Sequence, residues 1–109
     1  MSRAELGYGI VRSDLTRTAV GDQEASVRRA AAVVGLPLAD VSTLAGEQHI
    51  ALLHATFEHA AITTVVVPSR ETLGDDWIAA IRLDVDVLVA DPLFRWPRRP
   101  SSARPDPAA

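Results

Sequence analysis

Thr63-Thr64-Val65-Val66-Val67-Pro68 is the stretch on which the fold turns. It is a near-continuous β-branched run closed by proline, without the apolar–polar alternation of a half-exposed strand. Such a run suits a strand buried on both faces, as in a parallel sheet with helices above and below. Working outward from it, short β-branched runs alternate with longer amphipathic segments, the pattern of βαβ units. Leu6 to Val11 reads as the first strand and Val85 to Ala90 as the fourth, the latter closed by Asp91-Pro92. Leu38 to Thr43 is a weaker second strand, placed at a sheet edge by Pro37 and Asp40.

Three helices fill the gaps. Asp22 to Val34 carries Glu24, Val27, Ala31 and Val34 at helical spacing, with Arg28 and Arg29 on the wet side. It ends at Gly35-Leu36-Pro37: glycine suits the left-handed C′ position, Leu36 can fold back, and proline forbids continuation. Gly46 to Ala61 presents Ile50, Leu53, Phe57 and Ala61 as a buried stripe. Leu73 to Leu83 turns Trp77, Ile78 and Ile81 inward and sets Asp75 and Asp76 at its positive end. The expectation is an α/β domain with a three-layer, doubly wound, mainly parallel four-stranded sheet in the order β-α-β-α-β-α-β. It spans residues 1–96, and a Pro/Arg-rich tail over 97–109 has little to bury.

Composition narrows the function classes. At 109 residues there is room for one domain. No apolar run approaches the ~20 residues of a membrane span, and the charged N-terminus leaves no secretory h-region. There is no cysteine, which removes disulfides, thiolate nucleophiles and cysteine–metal sites together. The chain reads as cytoplasmic. All eleven cations are arginine, a usage that a GC-rich bacterial coding sequence produces. A net charge of −3 and a pI near 5.5 argue against non-specific nucleic-acid binding by the whole domain.

In a doubly wound sheet, ligands sit beyond the carboxyl ends of the strands. Those ends offer Arg12, Ser13 and Asp14, then Ser42 and Thr43, then Ser69 and Arg70, then Asp91. Arg12 to Gly21 is a long connection and the first place to look. Arg12, Ser13, Ser69 and Arg70 are the candidate ligand-binding residues, with a small anion or phosphoryl group as the ligand they would take. A nucleophilic serine needs a base or strong electrostatic activation, and no histidine is placed near either serine. His49, His54 and His59 recur at spacing five, so neighbours point about 140° apart on a helix and cannot share a metal. No metal or cofactor is expected. Gly7 and Gly9 lie inside a strand and Gly21 comes late, so no phosphate loop fits. Near the end, Phe94-Arg95-Trp96-Pro97-Arg98-Arg99 interleaves cations with aromatics. Arg95, Trp96, Arg98 and Arg99 could contact nucleic acid, dock the tail on the domain, or meet another protein.

Gly7-Tyr8-Gly9-Ile10-Val11-Arg12-Ser13 resembles the opening strand of the serine recombinase (resolvase/invertase) catalytic domain, a Tyr-x-Arg-Val-Ser run ending in the nucleophile. Asp22-Gln23 through Val27-Arg28-Arg29 to Gly35 is similar to that family's first helix. Val65-Val66-Val67-Pro68-Ser69-Arg70-Glu71-Thr72-Leu73-Gly74 resembles its buried strand and the arginine loop behind it. The likeness is to short actinobacterial recombinase-family proteins, and it implies a resolvase-like fold. The departures bear on chemistry. With Tyr8 matched, the strand arginine becomes Ile10 and Arg12 stands where the serine should be. Ser13 takes that place only with a one-residue slip, which flips side chains across the sheet. The loop arginines become Thr72 and Asp75. A competing alignment sets Leu93 to Arg98 on the arginine loop. Neither alignment leaves room for the family's long helix or its separate DNA-binding domain.

The resemblance therefore implies a non-catalytic, recombinase-like domain acting as a regulatory or protein-interaction module, with a protein partner or self-association. The alternatives are nucleic-acid contact through the arginine-rich tail and a residual site at Arg12, Ser13, Ser69 and Arg70.

Overall fold

The structure is a computed structural model that describes residues 4–15, 18–57 and 60–99. Glu58, His59 and the expected tail beyond Arg99 lie outside the described residues. The strands are β1 (Gly7–Arg12), β2 (Leu38–Leu44), β3 (Thr64–Val67), β4 (Asp86–Val89) and β5 (Phe94–Trp96). The helices are α1 (Val20–Val33), α2 (Gln48–His54) and α3 (Gly74–Ile81), with a 3-10 turn over Arg70–Thr72. The sheet order is β2-β1-β3-β4-β5. The first four strands are parallel and β5 returns antiparallel to β4.

The valine run explains the layering. Val65 and Val67 face one side of the sheet with Ile10, Val87 and Val89, beneath Ile50 of α2 and Ile78 and Ile81 of α3. Val66 faces the other side with Val11 and Leu88, beneath Val27, Ala30 and Ala31 of α1. Every residue of β3 is buried because each pleat has a helix over it. A side chain so placed contributes about 1.5–3 kcal/mol relative to exposure.

The glycine stop is built as expected. Gly35 has φ +70°, its N–H donates to the Ala32 carbonyl at 3.1 Å, and the Leu36 N–H donates to the Ala31 carbonyl at 2.8 Å. This closes the last turn of α1 and drops Leu36 into the core. As expected, β2 is an edge strand.

Several boundaries differ from the sequence reading. The sheet has five strands, not four. Phe94–Trp96 is too short for a periodic signal, and it joins the sheet because Arg95 is clamped to Asp86 and Glu5. α1 begins earlier and is rotated. It buries Gln23, Val27, Ala30 and Ala31, while Val34 is 39% exposed. β1 extends through Arg12, so the connection to α1 runs only from Ser13 to Ala19. α2 is half its expected length: the Thr56 hydroxyl donates to the Leu53 carbonyl at 2.7 Å, and i→i+3 bonds replace the helical ladder. Phe57 is still buried, but Ala61 is exposed at φ 57°. Leu83 lies beyond α3 and is exposed.

Candidate functional site

The chain leaves β1 toward β2 on one side and reaches β3 on the other, so the strand order reverses at β1. This is the switch point at which ligands of doubly wound sheets bind. β1 pairs with β2 to its end, but with β3 only through Gly7, Tyr8 and Gly9. The two central strands part at their carboxyl ends, and a cleft of about 150 Å³ lies there.

The parting leaves polar backbone to be satisfied. The Ser13 N–H bonds toward β2, to the Leu44 carbonyl at 2.9 Å. By strand alternation, the N–H and C=O of Arg12 turn toward the missing length of β3. The Gln23 side chain, buried on the first turn of α1, takes the absent strand's place. Its Oε1 accepts from the Arg12 N–H at 3.0 Å and its Nε2 donates to the Arg12 carbonyl at 2.8 Å. Nε2 also donates to the Thr18 carbonyl at 2.9 Å, fixing the loop before the helix. Gln23→Leu should leave two buried backbone groups unpaired and cost about 1–3 kcal/mol. Urea denaturation measures the loss, and hydrogen exchange at the Arg12 amide should quicken with it.

Tyr8, Ile10 and Arg12 occupy alternate positions and share the α2/α3 side of the sheet. Tyr8 packs on Phe57, its hydroxyl paired with that of Ser42, and Ile10 is in the same core. The Arg12 guanidinium is bound in a fork. Nε and Nη2 donate to the two Asp14 carboxylate oxygens at 2.6 and 2.5 Å, and Nη1 donates to the Thr72 carbonyl at 2.8 Å. The Asp14 bonds raise the Arg12 pKa above its ordinary range against the opposing effect of burial. They also hold the Asp14 carboxyl below its usual value of 3.8. A depressed carboxyl contributes stability above its unfolded pKa and loses it as pH falls through its folded one. Asp14→Asn should therefore flatten the part of the acid-unfolding curve lying below about pH 4. A pH series of melting temperatures for both chains reads this directly.

Among the described clefts none is lined by all four candidate ligand residues. Arg12 is spent on Asp14 and Thr72. Ser13 is exposed, with its hydroxyl on the Leu44 carbonyl at 3.3 Å, on the β2 side. Ser69 lines the switch-point cleft. Arg70 pairs with Asp75 at 2.6 Å and lies 5.7 Å from the Trp96 ring, lining a different groove. The cleft carries Asp22, Glu71 and Asp91 beside the hydroxyls of Thr18, Ser26, Ser69 and Thr72. Among the described residues no arginine lines it, and no group of three His, Asp or Glu side chains is placed to hold a metal ion. Gln23 and Thr72 organise this end of the sheet, and nothing in local spacing announces them.

At the far edge, Arg95 donates to Glu5 at 2.6 Å, to Asp86 at 3.0 Å and to Thr64 at 3.2 Å. Its pKa is raised, chiefly by the Glu5 bond. Trp96 packs on the core with the Arg82 guanidinium 4.9 Å from its ring centre. Arg98 and Arg99 use their backbone N–H groups, on Asp86 and on the Arg82 carbonyl. Among the described residues their side chains make no ion pair.

The fold is an α/β domain with a mostly parallel five-stranded sheet. Among solved structures it is similar to the N-terminal catalytic domain of TP901-1 integrase, with a TM-score of 0.65 over 84% of this chain and 81% of that one. At 15% identity the likeness shows the fold alone. No protein-family model matches the chain, and no curated protein matches it. Among the described residues no helix is long and apolar enough to cross a membrane.

Proposed function

We propose that this chain is a catalytically inactive, resolvase-like domain of a cytoplasmic bacterial protein that works as a regulatory or protein-interaction module. The observation that carries this reading is Arg12. In the β1 register set by Tyr8 and Ile10, the place of a nucleophilic serine belongs to a guanidinium already bound by Asp14 and the Thr72 carbonyl. Ser13, one residue later, falls on the opposite pleat with its hydroxyl on a backbone carbonyl. Among the described residues the switch-point cleft, where Ser69 lies, also carries the carboxylates of Asp22 and Asp91, which would oppose a bound phosphate. A nucleophile needs an adjacent base or a lowered pKa, and neither Ser13 nor Ser69 is given one among the described residues.

The test is strand transfer. A supercoiled plasmid with two copies of a recombination site, incubated with the full chain, should be neither cut nor resolved. Resolved products from this chain alone would refute the proposal.

A second reading is favoured by one observation: the Arg98 and Arg99 side chains have no carboxylate partner among the described residues. They could hold phosphates, making the chain DNA-associated. Arg95 and Trp96 offer less to that role, since each is engaged within the domain. Affinity for DNA that falls steeply with added salt is the expected sign of this reading.

A further inference from the structure

A second concavity lies past the ends of β3 and β4, with residues next in sequence to those of the switch-point cleft. It is a groove of about 330 Å³ lined by Arg70, Val89, Pro92, Leu93, Phe94 and Trp96. Five of these six side chains are apolar; Val89 belongs to the core and Trp96 packs on it, which leaves Pro92, Leu93 and Phe94 exposed. Leu93 is 50% and Phe94 52% exposed, although bulky apolar groups set side by side are ordinarily buried.

Two arginines lie against the Trp96 end of the groove. Arg82 lies over Trp96 and, among the described residues, donates to the Pro97 carbonyl. Among the described residues, Arg82, Arg98 and Arg99 have no carboxylate partner. Arg70 has Asp75, but both side chains are more than half exposed. Such a pair is weak and can be exchanged for a ligand's carboxylate. A chain of net charge −3 thus sets Arg70 in the groove and Arg82 against the Trp96 ring at its edge. The complement is an anionic segment that also carries something apolar to bury.

We propose that this groove docks an acidic peptide segment of a partner protein, with one bulky apolar side chain seated between Phe94 and Pro92 and carboxylates on the arginine rim. The inference rests on reading the chain as an interaction module and names the surface used. A peptide fits better than single-stranded nucleic acid because base binding requires a free aromatic face. Two guanidinium groups already lie against the Trp96 ring, and Phe94 packs edge-on to it at 5.2 Å. Among the groove's residues only Phe94 keeps an exposed ring, and a strand of successive bases needs more than one such platform.

The experiment is fluorescence anisotropy of the full chain with a labelled peptide of Asp and Glu around a central Leu–Phe pair. Saturable binding is expected, weakening as salt is added. Phe94→Ser and Arg70→Glu should each weaken it by about tenfold or more, and replacing the Leu–Phe pair by alanines should do the same. Leu52→Ser, an exposed position on α2, should leave it unchanged. The proposal is overturned by absence of saturable binding. It is equally overturned if an oligo-dT strand binds as tightly as the peptide, or if both Phe94→Ser and Arg70→Glu bind like the parent chain. Running the plasmid assay on the same preparations separates the two readings. Strand transfer refutes the inactive-module reading whatever the peptide does. No transfer and no peptide binding refutes the groove alone.

Discussion

Phe57→Ala should lower the unfolding free energy by about 3–5 kcal/mol, the cost of removing a large aromatic from a packed core. Phe57 lies just beyond the end of α2 and is almost wholly buried. Its ring centroid is 5.7 Å from that of Tyr8 and 5.7 Å from that of His54. Its neighbours in the cluster come from β1, α2, β3, α3 and β4. No one element can shift to fill the space without moving the others, so the cavity should persist. The loss is a large share of the roughly 5–15 kcal/mol that holds a domain folded. In urea the midpoint should fall with little change in slope, since the surface exposed on unfolding is almost unaltered. A loss below about 1 kcal/mol would mean that the segment after α2 is not part of the core.

Gly9→Val should cost about 3 kcal/mol by the opposite mechanism, overpacking. A Cβ on Gly9 would stand 2.8 Å from a methyl of Val27 on α1 and 2.8 Å from a methyl of Val41 on β2. Both neighbours are β-branched and stiff at χ1, so neither can swing clear. The relief open to the structure is for α1 to lift from the sheet. That movement would draw Gln23 away from the Arg12 backbone, so the variant should also lose protection at the Arg12 amide. Gly21→Val is the control, because a Cβ there meets nothing within 4 Å. If Gly9→Val were as stable as the parent chain, the close approach of α1 to β1 would be wrong.

The parts of the fold that were legible in the sequence are those set by local chemistry. The valine run of β3, the Gly35-Leu36-Pro37 stop and the acids opening α3 each carry a reason within a few residues. The parts that were not legible depend on distant partners. Phe94–Trp96 is a strand because Asp86 and Glu5 hold Arg95, and Glu5 lies 90 residues away. α2 stops early because a threonine hydroxyl competes for its carbonyls. Gln23 looks like any polar residue in a first helical turn until the parting of β1 from β3 exposes the backbone it completes.

The candidate site divides in the same way. Alternation along Tyr8, Ile10 and Arg12 can be read directly, and with it the face each side chain takes. The fork on Arg12 cannot, because its third bond reaches Thr72, 60 residues on. The acidic lining of the cleft is likewise assembled from α1, the 3-10 turn and the end of β4. Resemblance in short motifs located the fold; only the assembled strand ends show which charges face one another.

The central claim is that β1 presents Arg12, not a reactive serine, at the switch point. The most direct measurement is covalent capture. The full chain is incubated with a nicked duplex that traps any protein–DNA ester, and the protein mass is read intact, with Ser13→Ala and Ser69→Ala in parallel. The expected result is one unmodified mass in all three samples. A DNA adduct on the parent chain that disappears in Ser13→Ala would contradict the account.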